Sequence, residues 1–325
     1  MSSTLKSLLG LSVAIAWCLA GTAQAQINYP NKPVRILMPF APGSGLDIAT
    51  RQIAKGYSDA LGQPFVVEVK QGGVGVVAMQ ELAKSPPDGY TLGYVNSAIS
   101  VSQWLLGDGS FLMTRDVTPV GLMSFTYNVL VVAPNLPVNS VAELVSMAKA
   151  KPGALSYASG GNGTPAHLQG ELFRRSVGID VVHVPYKALA TAFTDMGRGE
   201  VHYVFGVASS VVPVLKAGRL KALAVAAPKR MPTLPDVPTM EELGYKGIDV
   251  RSWGSIGATA GTPAAVINKL NTTLKTVLAD PATVKLWDTL GSEIPQATLA
   301  DAADLYRSET LRWEKFLKEN PIKID

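Results

Sequence analysis

Val34-Arg35-Ile36-Leu37-Met38-Pro39-Phe40-Ala41-Pro42-Gly43-Ser44-Gly45 joins an apolar run to a loop of small residues, and the stripe Leu46, Ala49, Ile53, Tyr57 and Ala60 follows at helical spacing. The reading is strand, small-residue loop, helix. Leu155-Ser156-Tyr157-Ala158 repeats it, followed by Ser159-Gly160-Gly161-Asn162-Gly163-Thr164-Pro165 and a run carrying Leu168, Leu172 and Phe173. Neither loop holds a lysine or arginine. A helix start leaves several N–H groups without an intrahelical acceptor and carries a positive partial charge, so small residues ahead of it let an anion come close. Each loop is a candidate anion cradle. A separation of about 115 residues, roughly one domain of chain, places one cradle in each of two lobes with a ligand between them.

Outward from these loops, strand-like and helix-like runs alternate. Phe65–Val69 follows the first helix, Val76–Lys84 reads as a helix stopped by Pro86-Pro87-Asp88-Gly89, and residues 90–95 read as a strand. Residues 128–133 form the next apolar strand, and Ser140-Val141-Ala142-Glu143 is a capping box. A second series comprises strands at 155–158, 181–184, 201–207 and 220–226, with helices after Thr164 and over 191–198. Thr262 before Pro263 is placed to cap a helix. Thr298-Leu299-Ala300-Asp301 opens a last one carrying Leu305, Tyr306, Trp313, Phe316 and Leu317. The alternation predicts an α/β fold whose lobes are mainly parallel sheets flanked by helices, with both loops at the carboxyl ends of strands, where such sheets bind ligands. Crossovers near 128–133 and 250–258 put lobe 1 at residues 26–127 plus 253–325 and lobe 2 at 128–252.

The 325-residue length fits two domains, and a 47% hydrophobic content suffices for two cores. Formal net charge is +4 and no run of basic residues is present to follow a nucleic-acid backbone, which argues against nucleic acid as a partner. Lys6, the apolar stretch 8–20 and Ala23-Gln24-Ala25 have the make-up of a secretory leader cleaved after Ala25. Its apolar part is too short for an ordinary membrane span. Cys18, the sole cysteine, leaves with it, so the mature chain has neither thiol nor disulfide chemistry. A lipoprotein reading of Ile15-Ala16-Trp17-Cys18 is the alternative, set back by bulky Trp17 where a small residue is wanted.

Each cradle has a plain alternative: a tight turn that binds nothing. The second, with Gly160, Gly161, Gly163 and the hydroxyls of Ser159 and Thr164, offers more donors than a connector needs. Gly161-Asn162-Gly163-Thr164-Pro165-Ala166 also matches the Ala-ended dinucleotide fingerprint, but the expected downstream acid is only loosely met by Asp180, and an exported protein has little access to that cofactor. Pro42 occupies the first glycine position of a nucleophile elbow, and no Walker lysine follows either loop. His167, His183 and His202 lack metal-ligand spacing, so no metal is expected. His167 and Asp47 lie in the first turns of the two cradle helices. Asp47 either caps its helix or holds a ligand amine, a ligand hydroxyl or a water. Trp104, Phe111 and Trp253 read either as core or as the wall of a pocket for an aromatic ligand.

Tyr29-Pro30-Asn31-Lys32-Pro33-Val34, Pro39-Phe40-Ala41-Pro42-Gly43, Leu61-Gly62-Gln63-Pro64, Pro86-Pro87-Asp88-Gly89-Tyr90-Thr91-Leu92, Gly163-Thr164 with His167-Leu168, His183-Val184-Pro185-Tyr186-Lys187, Pro235-Asp236-Val237-Pro238-Thr239 and Gly261-Thr262-Pro263 come in order. Together they make the chain resemble the extracytoplasmic receptors of tripartite tricarboxylate transporters, the Bug receptor family, over nearly the whole mature length. The resemblance implies a two-lobed periplasmic binding protein, type II-like, that closes on a carboxylate and delivers it to a membrane permease. A monomer is expected, with no cofactor and no residue assigned a catalytic role. Ser44, Leu46 and Ala188 depart from the family pattern, as do His202 and Gly206 at positions often acidic. The last two remove negative charge near the expected pocket mouth, which predicts a preference for purely carboxylate or apolar ligands over amino acids.

The expected site comprises Phe40, Ala41, Pro42, Gly43, Ser44 and Gly45 with Asp47, then Ser159, Gly160, Gly161, Gly163 and Thr164 with His167. Asn96 and Ser97 join Ser44 and Thr164 as side-chain donors, and the ligand tail reaches Tyr186, Gly206 and Val207. The rivals are a secreted hydrolase using Ser44 or Ser159 with a histidine, a nucleotide-dependent enzyme built on Gly161 and Gly163, and a receptor that serves a signalling partner.

Overall fold

The computed structural model describes residues 28–40, 42–105, 109–186, 189–248 and 250–319. The leader at 1–25 and the cradle residue Ala41 therefore lie outside the described residues. The chain begins β1 (Val34–Met38), α1 (Gly45–Leu61), β2 (Phe65–Val69), a 3-10 turn (Gly73–Gly75), α2 (Val76–Lys84), β3 (Thr91–Asn96), α3 (Ser97–Leu105), α4 (Met113–Asp116) and β4 (Val117–Thr126). There follow β5 (Asn128–Val132), α5 (Val141–Ala150), β6 (Ser156–Ser159), α6 (Pro165–Val177), β7 (Val182–Pro185), α7 (Leu189–Arg198), β8 (Tyr203–Val207), α8 (Ala208–Lys216) and β9 (Lys221–Ala226). The closing elements are β10 (Ser252–Thr259), α9 (Ala264–Ala279), α10 (Pro281–Thr289), β11 (Ser292–Glu293) and α11 (Leu299–Glu319). Among the described residues no helix is long and apolar enough to cross a membrane.

Local chemistry sets the ends of the site helices. Ser44 Oγ accepts the Asp47 N–H at 3.2 Å, Asp47 puts a carboxyl in the positive first turn, and Gly62 at φ 71° closes α1. Its buried face is Ala49, Ile53, Ala54 and Tyr57. Pro165 opens α6 where a missing N–H costs nothing, and Gly178 at φ 64° ends it. Thr298 and Asp301 form a true reciprocal box at α11, exchanging bonds of 2.8 and 3.1 Å. Thr262 does not cap α9: its hydroxyl donates to Thr259 O at 2.7 Å, and Pro263 holds the cap position.

Two sheets result. The first has the order β11-β4-β10-β3-β1-β2 and the second β7-β6-β8-β5-β9. Both are mixed, which corrects the expectation of mainly parallel sheets. β1 pairs parallel with β2 and β3, and β6 with β7 and β8, whereas β10, β11 and β5 run antiparallel to their neighbours. The reason is the crossover. β5 and β10 each enter a sheet at the end where the chain arrives from the other sheet, so they run away from that end while the βα strands run toward it.

Apolar side chains fill both faces of the first sheet. Ile53, Tyr57, Leu270 and Trp287 from α1, α9 and α10 cover one face, and Met79, Ile99 and Tyr306 from α2, α3 and α11 cover the other. The second sheet has its own core around Tyr157, Phe173, Tyr203 and Phe205. Gly170 lets α6 press onto β6, since a Cβ there would lie 2.2 Å from the Tyr157 ring. A further cluster of Val101, Leu168, Val250 and Trp313 joins α3 and α11 to α6 across the two halves.

Candidate functional site

Between the two sheets lies a cavity of about 340 Å³, in the size range of small-ligand sites. Five helices begin on its wall. The wall includes Ser44, Gly45 and Leu46 at α1, Asn96, Ser97 and Ala98 at α3, Thr164, Pro165 and Ala166 at α6, Leu189 at α7, and Val207 and Ser210 at α8. First-turn amides such as those of Gly45, Leu46, Ser97, Ala98 and Ala166 are among the four that a helix leaves without an intrahelical acceptor. Each helix start also carries a positive partial charge, roughly half an elementary charge. Among the described residues, no lysine, arginine, histidine, aspartate or glutamate lines the wall. A cavity of this kind has a positive potential without a cation, which suits an anion and offers an ammonium group no counter-charge.

The two cradle loops are braced alike. Gly43 N–H donates to Asp47 Oδ2 at 2.9 Å, and Gly163 N–H donates to His167 Nδ1 at 3.1 Å, so in each loop a glycine amide bonds the side chain four residues on. Both glycines have positive φ, 77° and 78°. Asp47 is buried, which pushes its carboxyl up, but the Arg51 guanidinium and the Gly43 amide outweigh this and hold it below the usual carboxylate range. Because His167 Nδ1 accepts, the ring is neutral with its proton on Nε2, in line with burial lowering its pKa.

Below the second loop, the rings of Tyr157, His183 and His167 form a stack, with centroids 4.8 and 4.0 Å apart. Burial, with His167 against it, pushes His183 down to about 4. Ser159 Oγ lies 2.7 Å from His183 Nε2 and 3.1 Å from both the amide and the carbonyl of Gly161. This is the serine–histidine pair a hydrolase reading needs. Ser159, however, is completely buried and off the cavity wall, and its hydroxyl is spent on shaping the loop.

A family model described as "Tripartite tricarboxylate transporter family receptor" matches residues 49–322. The chain belongs to this receptor family. The receptor is 31% identical over 322 residues to Protein BugT of Bordetella pertussis (strain Tohama I), covering 98% of each chain. It superposes on the structure of R. palustris Rpa4515 with adipate at TM-score 0.79 and 33% identity, over 89% of this chain and 97% of that one. It superposes on the periplasmic binding protein BugD at TM-score 0.77 and 29% identity, over 91% and 100%. Relatives of this kind are two-lobed periplasmic solute-binding proteins.

Of the residues singled out in the sequence, the receptor places Phe40, Ser44, Gly45, Asn96, Ser97, Gly160, Thr164 and Val207 on the cavity wall. Pro42, Gly43, Asp47, Ser159, Gly161, Gly163, His167, Tyr186 and Gly206 stand off it. Thr164 Oγ1 donates to Gly161 O at 2.7 Å, so its proton is already committed. Tyr186 OH donates to Asp195 at 3.0 Å, and Gly206 makes room for Val211, whose Cγ2 would lie 2.5 Å from an added Cβ. Trp253 reaches the wall although its ring stacks on Tyr306, while Phe111 is core. Sequence reading missed the wall contributed by Ser124, Thr126, Asn128, Ser252, Trp287, Leu290 and Ser292. No local motif marks these residues: strand pairing gathers Ser124, Thr126, Ser252 and Ser292, and packing of α10 on the sheet brings Trp287 and Leu290.

Proposed function

We propose that this receptor captures a small organic carboxylate between its two halves and hands it to the membrane permease subunits of a tripartite transporter. In this reading the chain is exported, cleaved after Ala25, and works in the periplasm as a monomer without cofactor. Residues 26–127 with 253–325 act as one lobe and 128–252 as the other. The observation that carries the reading is the convergence of five helix starts on a wall without a charged side chain among the described residues. The carboxylate takes hydrogen bonds from first-turn amides and from the Ser44 and Ser97 hydroxyls. Gly43, Gly161 and Gly163, with Asp47, Ser159 and His167, hold the two loops in shape behind it. A ligand touching both halves favours the closed form by its greater affinity for that form. Adipate in a 33% identical structure is consistent with this class of ligand. No residue takes a catalytic part.

Thermal denaturation of the protein lacking residues 1–25, with and without mono-, di- and tricarboxylates including adipate, tests the reading. Ligand at a hundred times its Kd adds about 2.7 kcal/mol to stability, which raises Tm by a few degrees. A flat response across the whole panel would overturn it.

A further inference from the structure

The wall opposite in chemistry to the helix starts is a lattice of hydroxyls on one face of the first sheet. In β10 and β4, Ser252 lies directly across from Thr126 and Gly254 across from Ser124. In β11, Ser292 also lies across from Thr126. Residues directly opposed in a sheet share a face, and so do residues two apart along a strand. Ser292, Thr126 and Ser252 therefore form a row across three strands, with Ser124 in the next row. All four line the cavity. Their neighbours Phe125 and Trp253 belong to the apolar cluster on the sheet's other face. Ser124 and Thr126 are only 7% and 8% exposed. Yet none of the four hydroxyls is tied to another described residue by a hydrogen bond. Buried hydroxyls are normally paired. Gly254 makes room for the hydroxyls of Ser124 and Tyr94, since a Cβ there would stand 2.7 Å from both Ser124 Oγ and Tyr94 OH.

We infer that the row Ser252, Thr126 and Ser292, with Ser124, is a second polar subsite that selects a ligand bearing an oxygen group, hydroxyl or carboxylate, at the end away from the carboxylate held by the helix starts. The inference rests on the carboxylate reading and deepens it. Hydroxyls both donate and accept, so either oxygen group satisfies them. A methyl end leaves them desolvated and unpaired. An ammonium end meets the positive field of five helix starts with no carboxylate among the described wall residues to balance it.

Calorimetric titration with two matched series tests this. The first is hexanoate, 6-hydroxyhexanoate, adipate and 6-aminohexanoate; the second is butyrate, 4-hydroxybutyrate, succinate and 4-aminobutyrate. In at least one series the hydroxy acid or the dicarboxylate binds tenfold or more tighter than the methyl-ended acid, and the amino acid binds weakest. Thr126→Val combined with Ser252→Ala brings the oxygenated and methyl-ended acids within about threefold of each other, by weakening the oxygenated acids and relieving the desolvation penalty on the methyl-ended one. Thr126→Ser retains the full preference. Equal binding of methyl-ended and oxygenated acids, or an undiminished preference in the double variant, overturns the subsite while leaving the carboxylate reading intact. Failure of all eight probes overturns both.

Discussion

His183 shows how one buried ring ties the second loop to solution conditions. Its folded pKa near 4 lies below the ordinary 6.5, so between these values the folded chain binds fewer protons than the unfolded one. Stability from this residue is complete above pH 6.5 and is lost as pH falls toward 4. His167 and His202 are lowered in the same direction by burial and add to the slope. Asp47 and Glu171, both below the usual carboxylate range, give way only at lower pH, below the ordinary carboxylate pKa. The urea midpoint should therefore drop from pH 7 to pH 4.5, and His183→Gln should shrink that drop. An unchanged drop in the variant would place the proton uptake elsewhere. The glycines and hydroxyls of this loop were legible in sequence, but not that Ser159, Gly161 and Gly163 spend their polar groups on one another and on two histidines.

At the scale of elements, α1 joins fold to function at a single cap. Ser44 Oγ holds the Asp47 amide and stands on the cavity wall. Ser44→Ala should cost about 1 kcal/mol of stability, whereas Ser44→Gly should cost only a few tenths, because glycine is a tolerable cap. Both remove the same hydroxyl from the ligand, so both should weaken carboxylate binding by roughly tenfold or more, the worth of a hydrogen bond to a charged group. Denaturant titration and calorimetry on the pair separate the two roles. Loss of binding in the alanine variant alone would make the hydroxyl purely structural. The helix itself was readable from its stripe of Leu46, Ala49, Ile53 and Tyr57. β4 was not, because Pro119 and Gly121 interrupt its pattern and its partners, β10 and β11, lie more than a hundred residues away in sequence.

Across the whole molecule, Leu168 on α6 packs with Val101 of α3 and Trp313 of α11, next to the second loop. Removing that side chain creates a cavity at the seam between the halves. Leu168→Ala should destabilise the protein by about 2–5 kcal/mol. The described tryptophans Trp104, Trp253, Trp287 and Trp313 sit on helices and strands of the first sheet's half, so their fluorescence follows that half, while far-ultraviolet circular dichroism follows both. The two transitions should coincide in the parent protein and separate in Leu168→Ala, as expected when cooperativity between halves is lost. Coincident transitions in the variant would show that the seam rests on other contacts.

The alternation of apolar runs, the glycine loops and the helix caps are local features, and residues near one another in sequence determined them: two α/β halves, each with a helix start bare of cations. Strand order is another matter. The side chains of Ser252, Thr126 and Ser292 meet only because β10 and β11 pair with β4, and a pairing between segments so far apart leaves no periodicity in either one. Which amides remain free for a ligand was likewise decided in three dimensions, where each loop first satisfies its own polar groups.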